Sequence, residues 1–264
     1  MRHHGELLSC FLVYLLCAAN GWAQDGVAPA FRPLSDSVTL HEPVLVEFTL
    51  RNGLGESIET DLGFNHKQNF AFTVITPDRR RVSVPPIAAE GFGETGRVSV
   101  QAGGTYRQVL LFNERYSFDT PGSYEVEAKF TGSIQTAGKK PVQAPSASTI
   151  RVTILPRNPE RLSEVCESLA ERAVRGSTYV EARDAALALS YVNDPIAVPS
   201  LARVLREGKL VRTEAAEGLA RIATPQAVEV LTASLNAGDS ELQAIARSAL
   251  GAIERGGKGS EIKR

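Results

Sequence analysis

Apolar residues follow two rhythms along this chain, and the change from one to the other sets its organisation. Between residues 43 and 155 they alternate with polar ones. Val44, Val46, Phe48 and Leu50 share one side of a run whose other side carries Glu47 and Thr49, the period-two pattern of a half-buried strand. Phe70, Phe72 and Val74 repeat the pattern, as do Tyr124, Val126, Ala128 and Phe130 against Glu125, Glu127 and Lys129. Further runs at 81–84, 97–100, 107–112 and 149–155, separated by Gly, Pro and Asn, bring the expected count to seven or eight strands. That number suits two packed antiparallel sheets.

After Pro156 the spacing becomes helical and the sequence repeats itself. Shifted by thirty residues, Ala185, Leu189, Val192, Pro195, Ala197, Val198, Leu201 and Leu205 fall on Ala215, Leu219, Ile222, Pro225, Ala227, Val228, Leu231 and Leu235. A shift of thirty-one then carries Ala215, Leu219 and Ile222 onto Ala246, Leu250 and Ile253. Asp194-Pro195 and Thr224-Pro225 each place a capping residue before a proline at the first helical position. Helices are therefore expected at 159–174, 180–192, 196–206, 211–222, 226–235 and 241–253, with Pro199 delaying or bending the third. A period near thirty is the signature of stacked helix pairs, an architecture that presents surfaces.

Composition places the boundary between the two halves. Ten of the fourteen Pro and all the Phe lie at or before Pro156, and beyond it the only aromatic residues are Tyr179 and Tyr191. The linker Pro156-Arg157-Asn158-Pro159 reads as short and stiff. At the start, Arg2, His3 and His4 precede the apolar run Leu7 to Ala19 and the small residues around Gly21-Trp22-Ala23. This is the layout of a secretory signal cut after Ala23, with retention as an uncleaved anchor the alternative. The reading is thus a signal peptide at 1–23, a β-sandwich at 24–156, helical repeats at 157–255 and a flexible tail at 256–264, in a periplasmic or secreted protein without stable membrane insertion after cleavage.

Two resemblances refine the fold class. Asp119-Thr120-Pro121-Gly122-Ser123-Tyr124 resembles the corner that opens a late strand in immunoglobulin-like domains. The order of a strand ending at Asn52, then Asp61-Leu62-Gly63-Phe64, Phe70-Ala71-Phe72 and Pro121-Gly122-Ser123-Tyr124 is similar to the bacterial intracellular proteinase inhibitor family. In the second half, Val211-Arg212, Ala215, Leu219 and Ile222, with the blocks at Pro195 and Pro225, resemble HEAT repeats of the short Ala-rich type found in phycobilisome lyases. The first copy departs from that pattern, with Ala182 where the later one has Arg212, and reads as a cap. The resemblances imply an immunoglobulin-like β-sandwich followed by a short HEAT-like α-solenoid whose partner helices line the inner face. Arg183, Tyr191, Glu217, Arg221 and Arg247 are then the residues expected to touch a protein partner; each is otherwise a solvated helix-face residue.

The remaining chemistry is sparse. A net charge of -1 gives no electrostatic reason to expect nucleic acid as a partner. Removing residues 1–23 leaves Cys166 as the one cysteine, which excludes an intrachain disulfide; it reads as a small buried residue, with a dimer disulfide or a reactive thiol as alternatives. His41 and His66 lack neighbours at ligand spacing, and no phosphate loop, dinucleotide fingerprint or nucleophile elbow occurs. No catalytic residue, metal or cofactor is assigned. Arg79-Arg80-Arg81 reads as a charged strand edge or an anion patch. The exposed ends of a short stack need cover, which the sandwich, a homodimer or another protein can supply. The expected function is that of a non-enzymatic protein-binding scaffold of the cell envelope contacting its partner through the helical array. The alternatives are a protease inhibitor acting through sandwich loops, and an accessory lyase-like enzyme that would have only Cys166 to use.

Overall fold

The computed structural model describes residues 26–63, 66–87, 96–144 and 147–261, with side chains to residue 256. The expected signal segment, 1–23, lies outside the described residues. Eleven strands form among them: β1 (Val27–Pro33), β2 (Ser37–Thr39), β3 (Leu45–Asn52), β4 (Ile58–Asp61), β5 (Phe70–Ile75), β6 (Arg81–Val84), β7 (Arg97–Val100), β8 (Thr105–Leu111), β9 (Gly122–Phe130), β10 (Ile134–Thr136) and β11 (Ala147–Leu155). They make a five-stranded sheet in the order β2-β11-β9-β5-β6 and two three-stranded sheets, β1-β3-β8 and β10-β4-β7. All pairs are antiparallel except β2 with β11.

The count exceeds the expected seven or eight because β1, β2, β4 and β10 were not legible. β2 and β10 have only three residues, too few for alternation to register, and β4, Ile58-Glu59-Thr60-Asp61, carries a single apolar residue. The fourth, β1, contains Pro29 and Pro33 and pairs only with β3, an edge position where proline is tolerated. Beyond β9 the chain forms β10, which pairs with β4, and a turn closed by a bridge between Gln135 and Pro141.

The sheets enclose one aromatic core. Phe48 is fully buried, with its ring centroid 4.9 Å from that of Phe70, 5.1 Å from Phe31 and 5.4 Å from Phe130. Tyr124 is also buried, and its hydroxyl donates to the carbonyl of Thr120 at 2.9 Å, so the one polar atom of that ring is satisfied at the turn into β9. The arginine run is largely paired: Arg80 meets Asp78 at 2.7 Å, and Arg81 takes both oxygens of Glu127 at 2.7 and 2.9 Å. That arrangement fits the charged-edge reading.

The second half is helical: α1 (Pro159–Arg175), α2 (Tyr179–Ser190), α3 (Val198–Glu207), α4 (Arg212–Ile222), α5 (Pro225–Ser234) and α6 (Ser240–Glu261). Asp194 caps a 3-10 turn, Pro195–Ala197, by accepting from the Ile196 amide at 3.0 Å. The α-helix itself starts only at Val198, with Pro199 in its first turn, where no amide hydrogen is needed. Helix α6 runs to Glu261, through most of the segment expected to be a tail. Glycines there each cost about 1 kcal/mol of propensity but, unlike proline, do not remove a backbone donor.

Small residues set the helix spacing. Ala185, Ala215 and Ala246 are buried between α2, α4 and α6, and Leu189 and Leu219 fill the seam. Arg212 is buried with its guanidinium 2.6 Å from Asp239, whose other oxygen caps α6 by accepting from the Glu241 and Leu242 amides at 3.1 Å. One ion pair thus joins the start of α4 to the start of α6. Ala182 holds the corresponding place in α2, so the first unit has no such link. Cys166 is buried in this core, where desolvation pushes its thiol up to about 12 and keeps it protonated.

Candidate binding site at the domain junction

The linker is fixed from both sides by one hydroxyl. Thr39, at the end of β2, donates to the Pro156 carbonyl at 2.7 Å and accepts from the Asn158 amide at 2.8 Å. Arg161 on α1 donates to the Ser37 carbonyl at 2.9 Å and pairs with Glu42 at 2.7 Å. Arg157 grips Asp194 through two bonds of 2.5 and 3.0 Å. This pairing, more than any other contact, holds the Asp194 carboxyl below the usual carboxylate range. Leu45 and Leu111 from β3 and β8 pack into the helical core and continue the contact in apolar form.

Beside the linker the two halves leave a cleft of about 300 Å³. Its β-domain wall includes His41, Asn113, Ser117, Phe118 and Asp119, and its helical wall includes Ser190, Tyr191, Asn193 and Arg221. The helical wall is well ordered by its own bonds. Arg221 Nη1 donates to the Ser190 carbonyl at 2.8 Å and to its hydroxyl at 3.0 Å, and the guanidinium lies 4.1 Å from the Tyr191 ring centroid. Desolvation raises the Tyr191 phenol, with Arg221 opposing. On the other wall, Asn113 Oδ1 accepts from the Val44 amide at 2.6 Å. The Lys67–Glu114 pair, at 2.8 Å, lies close enough to α2 for Lys67 to be the leading charge opposing the desolvation that raises the Asp184 carboxyl.

The residues expected to meet a partner divide into two groups. Tyr191 and Arg221 stack on each other in the cleft, against the β domain. Arg183, Glu217 and Arg247 lie outside it, on α2, α4 and α6. Arg183 is 3.5 Å from Glu214, Glu217 is 3.5 Å from Arg221, and Arg247 is exposed. The β-domain side of the cleft carried no sequence signal, since His41 and Asn113 to Asp119 come together with α2 and α4 only through the angle of the domains. Among the described residues no cluster of His, Cys, Asp and Glu could hold a metal ion. No helix among them is long and apolar enough to cross a membrane.

A family model described as HEAT repeats matches residues 166–251, and the helical half is accordingly HEAT-like. None of the curated proteins matches the chain. Among solved structures, human deoxyhypusine hydroxylase in complex with glycerol is 23% identical over 38% of this chain and 44% of its own, at a TM-score of 0.30. The sporulation control protein Spo0M of Bacillus subtilis is 17% identical over 55% and 56%, at 0.26. The seventh PapD-like domain of human CEP192 is 8% identical over 56% and 99%, at 0.29. The chain therefore spans less than half of the hydroxylase and little more than half of Spo0M, and likenesses this weak carry no argument about fold or function.

Proposed function

We propose that this chain is an exported, non-enzymatic scaffold of the cell envelope that holds a protein partner on its helical array. The observation that supports this best is the HEAT-repeat match across residues 166–251, because such arrays serve mainly as interaction surfaces. Arg183, Glu217 and Arg247 mark the surface used, and all three keep exposed side chains. In this reading the β half is an immunoglobulin-like sandwich that covers one end of the stack. Its support is the parallel pairing of β2 with β11, the order β1-β3-β8 facing β11-β9-β5, and the tyrosine corner at Tyr124. Export rests on the sequence pattern of residues 1–23.

The test is capture from an envelope extract by the chain lacking residues 1–23, beside the double charge reversal Arg183→Glu, Arg247→Glu. The expected outcome is a protein retained by the first bait and lost from the second, with both baits melting at the same temperature. Equal retention by the two baits, or a protease held through the β-domain loops, would sink the proposal.

A further inference from the structure

The junction cleft has a donor surplus that the scaffold reading leaves unused. Arg221 has one terminal nitrogen committed to Ser190 and its plane fixed against Tyr191. Its other terminal nitrogen reaches Glu217 only at 3.5 Å, the limit of a hydrogen bond, and Glu217 is 56% exposed at the rim. The guanidinium is therefore pre-organised, and the edge formed by Nε and the loosely held nitrogen suits a two-oxygen anion that displaces Glu217. With its oxygen taken by the Val44 amide, Asn113 has Nδ2 donors left over. Ser117 adds a hydroxyl donor, while the Tyr191 phenol is a partner of Arg221.

The acceptors on the same walls are mostly spent. Glu42 is held by Arg161 and by the Thr39 amide, and Ser190 Oγ by Arg221. Asp119 is exposed. The turn that brings His41 to the cleft is itself strained: His41 has φ 75°, a left-handed conformation held by the Glu42 amide donating to the Thr39 carbonyl at 2.9 Å. Strain of this kind persists where surrounding contacts over-determine it and is concentrated at binding sites. Phe118 and Ile154 supply apolar lining beside the donors, and a volume of about 300 Å³, at the lower end for small-molecule sites, limits the occupant to a small acid or the end of a chain.

We infer that this cleft is a binding site for a carboxylate group on a short apolar stem, with Arg221 as its anion anchor and Asn113 and Ser117 as neutral donors. The same chemistry is offered by a free short-chain acid and by the C-terminus of a peptide. The site meets the scaffold surface only at Glu217, the partner of Arg221, since neither Arg183 nor Arg247 lines it.

The experiment is titration of the chain lacking residues 1–23 with propionate, propionamide, N-acetyl-dialanine and the amide of that dipeptide. It is followed by calorimetry and by the NMR shift of the Arg221 Nε–H. Each acid is expected to bind at least about tenfold more tightly than its amide and to move the Arg221 signal. Arg221→Lys, which keeps the charge but loses the fork, should weaken the acids about tenfold. Ser117→Trp, at an exposed position on the rim, should abolish binding with the melting temperature unchanged. Arg247→Glu should bind as the parent does. Equal affinity of the two acids indicates a free small acid, and a dipeptide acid bound tenfold more tightly than propionate indicates a chain terminus. The proposal is overturned if amides bind as well as acids, if no probe binds, or if Arg221→Lys and Ser117→Trp bind like the parent.

Discussion

The two halves of this molecule bury their apolar residues in different ways. The β domain is centred on rings drawn from distant parts of the chain: Phe31, Phe48, Phe70 and Phe130 come from four strands and meet only when β1, β3, β5 and β9 are all in place. The helical half is built from Ala and Leu at matching places in successive units. A packing fault in the first kind of core is felt at once by strands of two sheets, β1-β3-β8 and β2-β11-β9-β5-β6, whereas one in the second is shared mainly between adjacent helices. The junction decides how far either disturbance travels.

The largest effect is expected from Phe48→Ala. Removing a fully buried ring with three close aromatic partners should cost about 4 kcal/mol, including the cavity left behind. The phenylalanine fine structure of the near-ultraviolet circular dichroism reports the β half, where the described Phe residues lie, and the signal at the helical minimum reports the repeats. If the halves melt separately, urea unfolding of Phe48→Ala shifts only the first signal. A matched shift in both would mean that the junction makes them one cooperative unit.

Asp194→Asn tests that junction directly. Asp194 is buried, pairs with Arg157 through two bonds and caps the turn before α3, so its neutralisation should cost about 2–3 kcal/mol at neutral pH. The sign of the pH dependence follows from the lowered carboxyl: its contribution is complete above the unfolded-state value and disappears as pH falls through the folded one. The gap in urea stability between parent and variant should therefore narrow in strong acid. A gap that stays constant across that range would mean that the ion pair adds nothing to the junction.

The same contrast explains what could be read in advance. The helical half was legible nearly helix by helix because its signals are local and repeated: caps at Asp194 and Thr224, alanines at 185, 215 and 246, and leucines at 189 and 219. In the β half, long alternating runs such as β9 were legible, but β2, β4 and β10 owe their strand geometry to neighbours supplied from elsewhere in the chain. Tyr191 and Arg221 were legible as functional candidates through their place on the partner helices. That they face the β domain, opposite Asn113 and Ser117, depends on the inter-domain angle, which no local pattern encodes.

Glycine to alanine substitutions probe the helix spacing with the smallest effects and opposite signs. In an exposed helix this change gains about 1 kcal/mol of propensity. At Gly251 in α6 the new methyl would meet only the Arg255 guanidinium, at 3.3 Å, and that flexible end can move aside, so Gly251→Ala should be stabilising by about 0.5–1 kcal/mol. At Gly218 in α4 it would lie 2.8 Å from the Ser190 Cα and 2.9 Å from Leu201 Cδ2, one a backbone atom and the other part of a fully buried side chain. Overpacking of about 1–3 kcal/mol then outweighs the propensity gain, and Gly218→Ala should be destabilising by about 1 kcal/mol. Ser190 also anchors Arg221, so the same variant should disturb the Arg221 Nε–H signal while Gly251→Ala leaves it in place. Thermal unfolding of the pair checks the sign. Stabilisation by both changes would show that α2 and α4 stand farther apart than this packing requires, and that Ser190 and Arg221 are not held in register by it.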